Sequence, residues 1–201
     1  DGKSIAFQQS DDSAMPERDI YYYARGGLQN NRVIRAFPGE ETSKASVGLV
    51  DLVSGKTQMF ERPDAKHHIW DFGVSRDGKR LFISGSDMQA KEHTIYVYDV
   101  ASGARETFYQ LREPKHLRPD WKVAWAPGDD GLIILTDRDG WLHLYHQRAA
   151  GEKPRQITSG EWEIAAFELD EARGQIYFTA NKSYLSDRQI YRVPVAGGTV
   201  Q

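Results

Sequence analysis

The chain has 201 residues, enough for one large domain, and its 39% apolar and 27% charged content is that of a folded rather than a disordered protein. A formal net charge of −3 argues against a nucleic-acid-binding face, and the lack of cysteine excludes thiol catalysis, disulfides and cysteine-based zinc sites. No apolar run approaches the ~18 residues of a membrane helix and no signal peptide opens the chain. The start, Asp1-Gly2-Lys3, reads as the middle of a motif, and hence as that of an excised or processed fragment.

In chain order, Asp1-Gly2-Lys3-Ser4-Ile5-Ala6-Phe7 predicts a glycine turn feeding an apolar strand. Residues 19–45 read as an insertion, in which Ile20–Ala24 and Arg32–Phe37 are expected to pair across Arg25–Asn31 as an extra hairpin. A strand at Val47–Val53 runs into Gly55, and Thr57–Phe60 follows it. The next unit repeats this plan. Trp70–Val74 alternates apolar and polar, Asp77-Gly78 feeds Leu81–Ile83, Tyr96–Val100 runs into Gly103, and Glu106–Tyr109 follows. Leu111–Asp120, rich in Arg, Lys, His and Pro, is a connection of the kind that carries binding residues. Trp121–Trp125, Asp130–Leu135, Leu142–Tyr145 leading to Gly151, and Arg155–Thr158 form a third unit. Trp162–Phe167, Arg173–Phe178 and Ile190–Val193 leading to Gly197 form a fourth.

The turn glycines Gly55, Gly103, Gly151 and Gly197 are 48, 48 and 46 residues apart. Such a period, built only of strands and turns, predicts an all-β, partial β-propeller of about four blades, each a four-stranded antiparallel sheet. The blades are expected at 1–62 (lacking its first strand), 63–113, 114–159 and 160–201, with the hairpin insertion at 19–45. No segment of useful length keeps a 3.6-residue period, so little helix is expected.

Four motifs resemble the propeller of the dipeptidyl peptidase IV family of prolyl-oligopeptidase-type serine peptidases. They are the opening strand with Ser10-Asp11-Asp12-Ser13-Ala14-Met15-Pro16; Phe37-Pro38 before Val47–Asp51; Asp137–Tyr145; and Ile157-Thr158-Ser159-Gly160-Glu161-Trp162-Glu163-Ile164 with Tyr177–Asn181 after it. The loop Gly39–Ala45 departs from the family, which continues there with Lys/Arg-Ala-Gly and then Asn-Pro. The resemblance implies an eight-bladed propeller over a C-terminal α/β-hydrolase domain, which would follow residue 201. It also implies a pair of glutamates, upstream of this chain, that anchor the amino terminus of a short peptide. Glu40 and Glu41 stand in a different motif and do not take that role. The parent is expected to be periplasmic or extracellular.

The resemblance lays Leu117-Arg118-Pro119 on a segment with a substrate-facing arginine, making Arg118 the candidate substrate-binding residue. The alternative is one more charge in an already basic loop. No serine fits the Gly-x-Ser-x-Gly elbow; Gly73-Val74-Ser75-Arg76-Asp77 comes nearest and reads as a turn between strands. No catalytic residue, metal site or cofactor is therefore assigned. His143 and His146 point to opposite faces of one strand, Asp137-Arg138-Asp139-Gly140 lacks the remaining ligands of a calcium loop, and His67-His68 reads as a solvated loop. Trp70, Trp121 and Trp162 recur once per unit, as blade packing or as sugar-stacking platforms.

The chain is thus expected to be non-catalytic, controlling peptide access and walling the substrate pocket for a serine dipeptidyl peptidase. The rival is a stand-alone TolB-like or WD-repeat-like interaction propeller; a weaker one binds carbohydrate. Unpaired blade edges predict self-association of the isolated chain.

Overall fold

The structure is a computed structural model that describes residues 2–37, 39–63, 67–118 and 121–201. Asp1 of the opening turn, Pro38 of the Phe37-Pro38 motif, and Pro119 and Asp120 of the basic connection lie outside the described residues. The described chain is all β, apart from a single 3₁₀ turn at Pro127–Asp129. None of its helices is long and apolar enough to cross a membrane.

Strand β1 (Ser4–Asp11) is followed by β2 (Glu17–Ala24) and β3 (Gly27–Ile34), which pair only with each other. The first blade sheet has the order β1-β4-β5, with β4 at Lys44–Asp51 and β5 at Thr57–Phe60. The second runs β6-β7-β8-β9, at His67–Val74, Arg80–Asp87, Glu92–Asp99 and Arg105–Arg112. The third runs β10-β11-β12-β13, at Val123–Trp125, Leu132–Thr136, His143–Gln147 and Arg155–Gln156. The last holds β14 (Ile164–Asp170), β15 (Gln175–Ala180) and β16 (Gln189–Pro194). Every pairing is antiparallel, the strands of each blade sheet lie side by side in chain order with the β2–β3 hairpin set outside the first, and the sheets form an arc of a propeller.

The ladder of turn glycines has a local cause. Gly55, Gly103, Gly151 and Gly197 all take positive φ, from 69° to 86°, a region open to glycine and costly for other residues. In the first two turns the repeat extends to side chains. Asp51 Oδ1 accepts the N–H of Ser54 at 2.7 Å, and Asp99 Oδ1 accepts that of Ser102 at 2.8 Å. Both carboxyls are held below their ordinary range, Asp51 foremost by the Ser54 N–H and Asp99 foremost by the Ser102 hydroxyl.

Each strand's face pattern follows from what covers it. In β11, Leu132 and Ile134 pack on the second sheet, beside Phe82, Ile95 and Val97. Its other face, Ile133 and Leu135, packs on the fourth sheet with Ile164, Phe167 and Ile176. A strand covered on both sides reads as a continuous apolar run. The second sheet divides likewise: Leu81 and Ile83 join Val47, Leu49 and Phe60 of the first sheet, while Phe82 faces the third. The core is thus three clusters, each between two neighbouring sheets.

Polar ties close the seams. Asp71 Oδ2 accepts the Val123 N–H at 2.8 Å, and its carboxyl is raised by burial against the pull of that bond. Trp125 Nε1 donates to the Gly73 carbonyl at 3.1 Å, and Asp129 accepts the backbone N–H groups of Arg76 and Asp77 at 2.9 and 3.1 Å. Lys122 Nζ donates to the Phe167 carbonyl at 2.8 Å.

Three expectations are corrected. The hairpin reverses at Arg25-Gly26, because Ala24 pairs with Gly27; residues 27–31, expected as loop, are strand. Gln29, Asn30 and Asn31 serve there because β3 is solvent-exposed along most of its length and needs no apolar alternation. His67 and His68 lie in β6 rather than in a loop, paired with Asp87 and Ser86 of β7. Trp121 and Trp162 precede their strands, which begin at Val123 and Ile164.

Candidate functional site

The motif Ile157–Ile164 folds around His143, which is fully buried on β12. His143 Nε2 lies 2.9 Å from the Gly160 carbonyl, which can only accept, so this nitrogen carries the proton. Nδ1 then accepts from the Thr158 hydroxyl at 3.2 Å, while Thr158 Oγ1 accepts the Leu144 N–H at 3.0 Å. Trp162 meets the His143 ring edge-on at 4.7 Å and stacks on Phe178. Gly160 has φ of +135°, and a Cβ there would sit 2.2 Å from Trp162 Nε1, so only glycine permits this turn. His146 is engaged on the opposite face: Nε2 donates to the Asp130 carbonyl at 2.6 Å, and Nδ1 accepts from Arg155 at 3.3 Å. All four ring nitrogens have protein partners.

This packing delivers Glu163 to the start of β14. Its N–H donates to Asn181 Oδ1 at 2.7 Å, and the Asn181 N–H donates back to the Glu163 carbonyl at 3.2 Å. The Glu163 carboxylate pairs with Arg118 Nη1. Arg118, in the connection from β9 to β10, is also held by its backbone, which donates to Asp137 Oδ2 at 3.1 Å. The Arg118 side chain remains 44% exposed. Arg118, Glu163 and Asn181, together with Leu142, Ile164 and Arg188, line a cavity of about 180 Å³. It is a small, mostly polar recess whose lining includes Arg118 and Arg188, and arginine offers directed donors to a carbonyl or a carboxylate.

A larger groove of about 1040 Å³ runs along the first strands of the second, third and fourth sheets. Arg76, Lys122, Asp129 and Glu171 line it, and an Arg76–Glu171 ion pair spans it.

Of the remaining sequence candidates, Ser75 is a buried turn residue: its hydroxyl donates to Asp77 at 2.7 Å and accepts the Arg80 N–H at 2.9 Å. Asp137 and Gly140 close a turn through a 2.8 Å backbone bond. Glu40 ties the hairpin's base, pairing with Arg18 and accepting the Phe37 N–H at 2.8 Å. Of the tryptophans, Trp121 and Trp162 are buried, while Trp70 is 40% exposed with its Nε1 bonded to Ser86 Oγ at 2.8 Å. Among the described residues no group of three or more His, Asp or Glu is placed to hold a metal ion. Sequence reasoning missed Glu163, Asn181 and Arg188. The first two stood inside the motifs quoted for the resemblance, but as turn markers rather than partners of Arg118.

A sequence profile described as the dipeptidyl peptidase IV (DPP IV) N-terminal region matches residues 1–201. The chain belongs to this DPP IV N-terminal family. A relative from Aspergillus oryzae named "Probable dipeptidyl-aminopeptidase B" is 26% identical over all of this chain and 26% of its own length. Among solved structures, Porphyromonas gingivalis dipeptidyl peptidase 4 superposes with a TM-score of 0.81 at 21% identity, over 99% of this chain and 29% of that one. A Bacteroides ovatus structure, solved as a candidate dipeptidyl aminopeptidase IV, gives 0.83 at 21% identity, over 99% and 31%. These likenesses establish the shared DPP IV propeller fold. The chain spans about a quarter of the length of the curated relatives it matches.

Proposed function

We propose that this chain is the access-controlling, non-catalytic propeller portion of a DPP-IV-like serine exopeptidase that releases N-terminal dipeptides. The observation that carries the reading is the family match along the whole chain; it favours a peptidase part over a stand-alone interaction propeller. The α/β-hydrolase domain of the longer protein supplies the nucleophile, since no serine here lies in a Gly-x-Ser-x-Gly elbow. The groove along β6, β10 and β14 is the wall past which the peptide travels. Arg118, steadied by Glu163 and Asp137, binds a carbonyl or carboxylate of that peptide. Its half-exposed guanidinium is already oriented, so little side-chain freedom is lost when the peptide arrives.

The test uses an Xaa-Pro peptide substrate. The 201-residue chain alone releases no dipeptide, whereas the full-length protein does. In the full-length protein Arg118→Ala raises KM about tenfold, the order expected for one charge-assisted hydrogen bond, and leaves kcat within about twofold. Turnover that copurifies with the isolated chain would overturn the non-catalytic reading, and an unchanged KM would remove Arg118 from the substrate site.

A further inference from the structure

The connection that presents Arg118 is gripped on both sides, and one grip depends on a histidine that the pocket itself does not contain. Before Arg118, the Glu113 N–H donates to the Lys91 carbonyl at 2.9 Å, and the Leu117 N–H to the Ala90 carbonyl at 2.6 Å. Leu117, within the connection, is buried. Three residues beyond Arg118 stands Trp121, which is 3% exposed. The Trp121 ring lies flat on the His93 imidazole, with centroids 4.0 Å apart and planes inclined by 7°. The edge of Trp70 closes on it at 6.2 Å.

His93 is shaped for this task. It is fully buried on β8, its Nε2 is 2.9 Å from the Ser84 hydroxyl of β7, and its ring meets Tyr109 of β9 edge-on at 5.3 Å. Three strands of the second sheet therefore fix the plane of the imidazole. That plane in turn fixes Trp121, which opens the path into the third sheet. Replacing the flat ring by a branched side chain keeps the apolar contact but abandons the stacked geometry.

We propose that His93 is a positioning residue for Arg118, acting through Trp121 to hold the connection that presents the guanidinium. The inference rests on the reading of Arg118 as a substrate contact, and its test separates the two. In the full-length protein, His93→Leu is compared with His93→Phe, which restores a flat ring. Hydrogen exchange of peptides spanning 113–118 is expected to be about tenfold faster in His93→Leu, near normal in His93→Phe, and unchanged in β14 and β15. KM for the Xaa-Pro peptide rises in His93→Leu with kcat within about twofold, and the double variant with Arg118→Ala is no worse than Arg118→Ala alone. Exchange that stays normal in His93→Leu, that accelerates equally throughout the molecule, or that is not rescued by Phe overturns the proposal. So does a KM effect that adds to that of Arg118→Ala. Should Arg118→Ala leave KM untouched, the substrate reading falls, and exchange at 113–118 alone decides whether His93 positions the connection. Where His93→Leu does not fold, Trp121→Leu probes the same joint from its other side, with the same exchange pattern expected.

Discussion

Single side chains in this protein are read through their partners. His93 shows this in its acid–base behaviour. Burial, with the nearby positive charge of Arg62 adding to it, holds the imidazole down at about 3. In the unfolded chain the same group titrates near its ordinary 6.5. Between those two values the unfolded state binds a proton that the folded state refuses, so stability is complete above about pH 6.5 and declines as the pH falls. The slope approaches about 1.4 kcal/mol per pH unit for one proton. Carboxylates held low by hydrogen bonds, such as Asp51 and Asp99, add their own loss only in the more acidic range where they take up protons. Urea midpoints between about pH 6.5 and 5 are therefore expected to fall in the parent chain and to stay flatter in His93→Phe. Equal slopes in the two proteins would contradict this account. None of it was legible in the sequence, where His93 sits in an ordinary strand and its burial depends on Trp121, 28 residues away. Arg118 was singled out only through the family resemblance. Its partner Glu163 is 45 residues on, beyond the reach of any local pattern.

At the scale of the strand, the sequence was most readable where both faces are buried. Leu132-Ile133-Ile134-Leu135 permits little but a covered strand, and β11 is one. Ile134 is fully buried between the second and third sheets, so Ile134→Ala is expected to cost about 2–5 kcal/mol, measured as a lower urea midpoint at unchanged slope. A loss below about 1 kcal/mol would mean that the seam between the two sheets collapses to fill the gap. The hairpin β2–β3 was the least readable. Its residues are mostly exposed, Tyr23 at 89%, and a strand with no buried face has no reason to alternate. Turns fell between these extremes. The glycine spacing located them, but Asp129, whose carboxylate caps the Arg76-Asp77 turn of the neighbouring sheet, carries no mark in its own sequence.

For the molecule as a whole, the arc leaves two sheets with one uncovered side each. On the first, Ile5 and Met59 are 52% and 41% exposed, opposite Ala6 and Phe60, which face the core. On the fourth, Ile190 is 76% exposed, opposite Tyr191. These exposed apolar faces predict that the isolated 201-residue chain self-associates. Light scattering is expected to show a mass that grows with concentration; a constant monomer mass at high concentration would refute it. The three core clusters also govern inheritance. Since each one joins only a neighbouring pair, the fourth sheet, which lines the recess through Ile164, shares no core cluster with the first, from which the second and third sheets separate it. The two ends of the arc are therefore expected to tolerate substitution independently, each keeping its own packing while the other is rewritten.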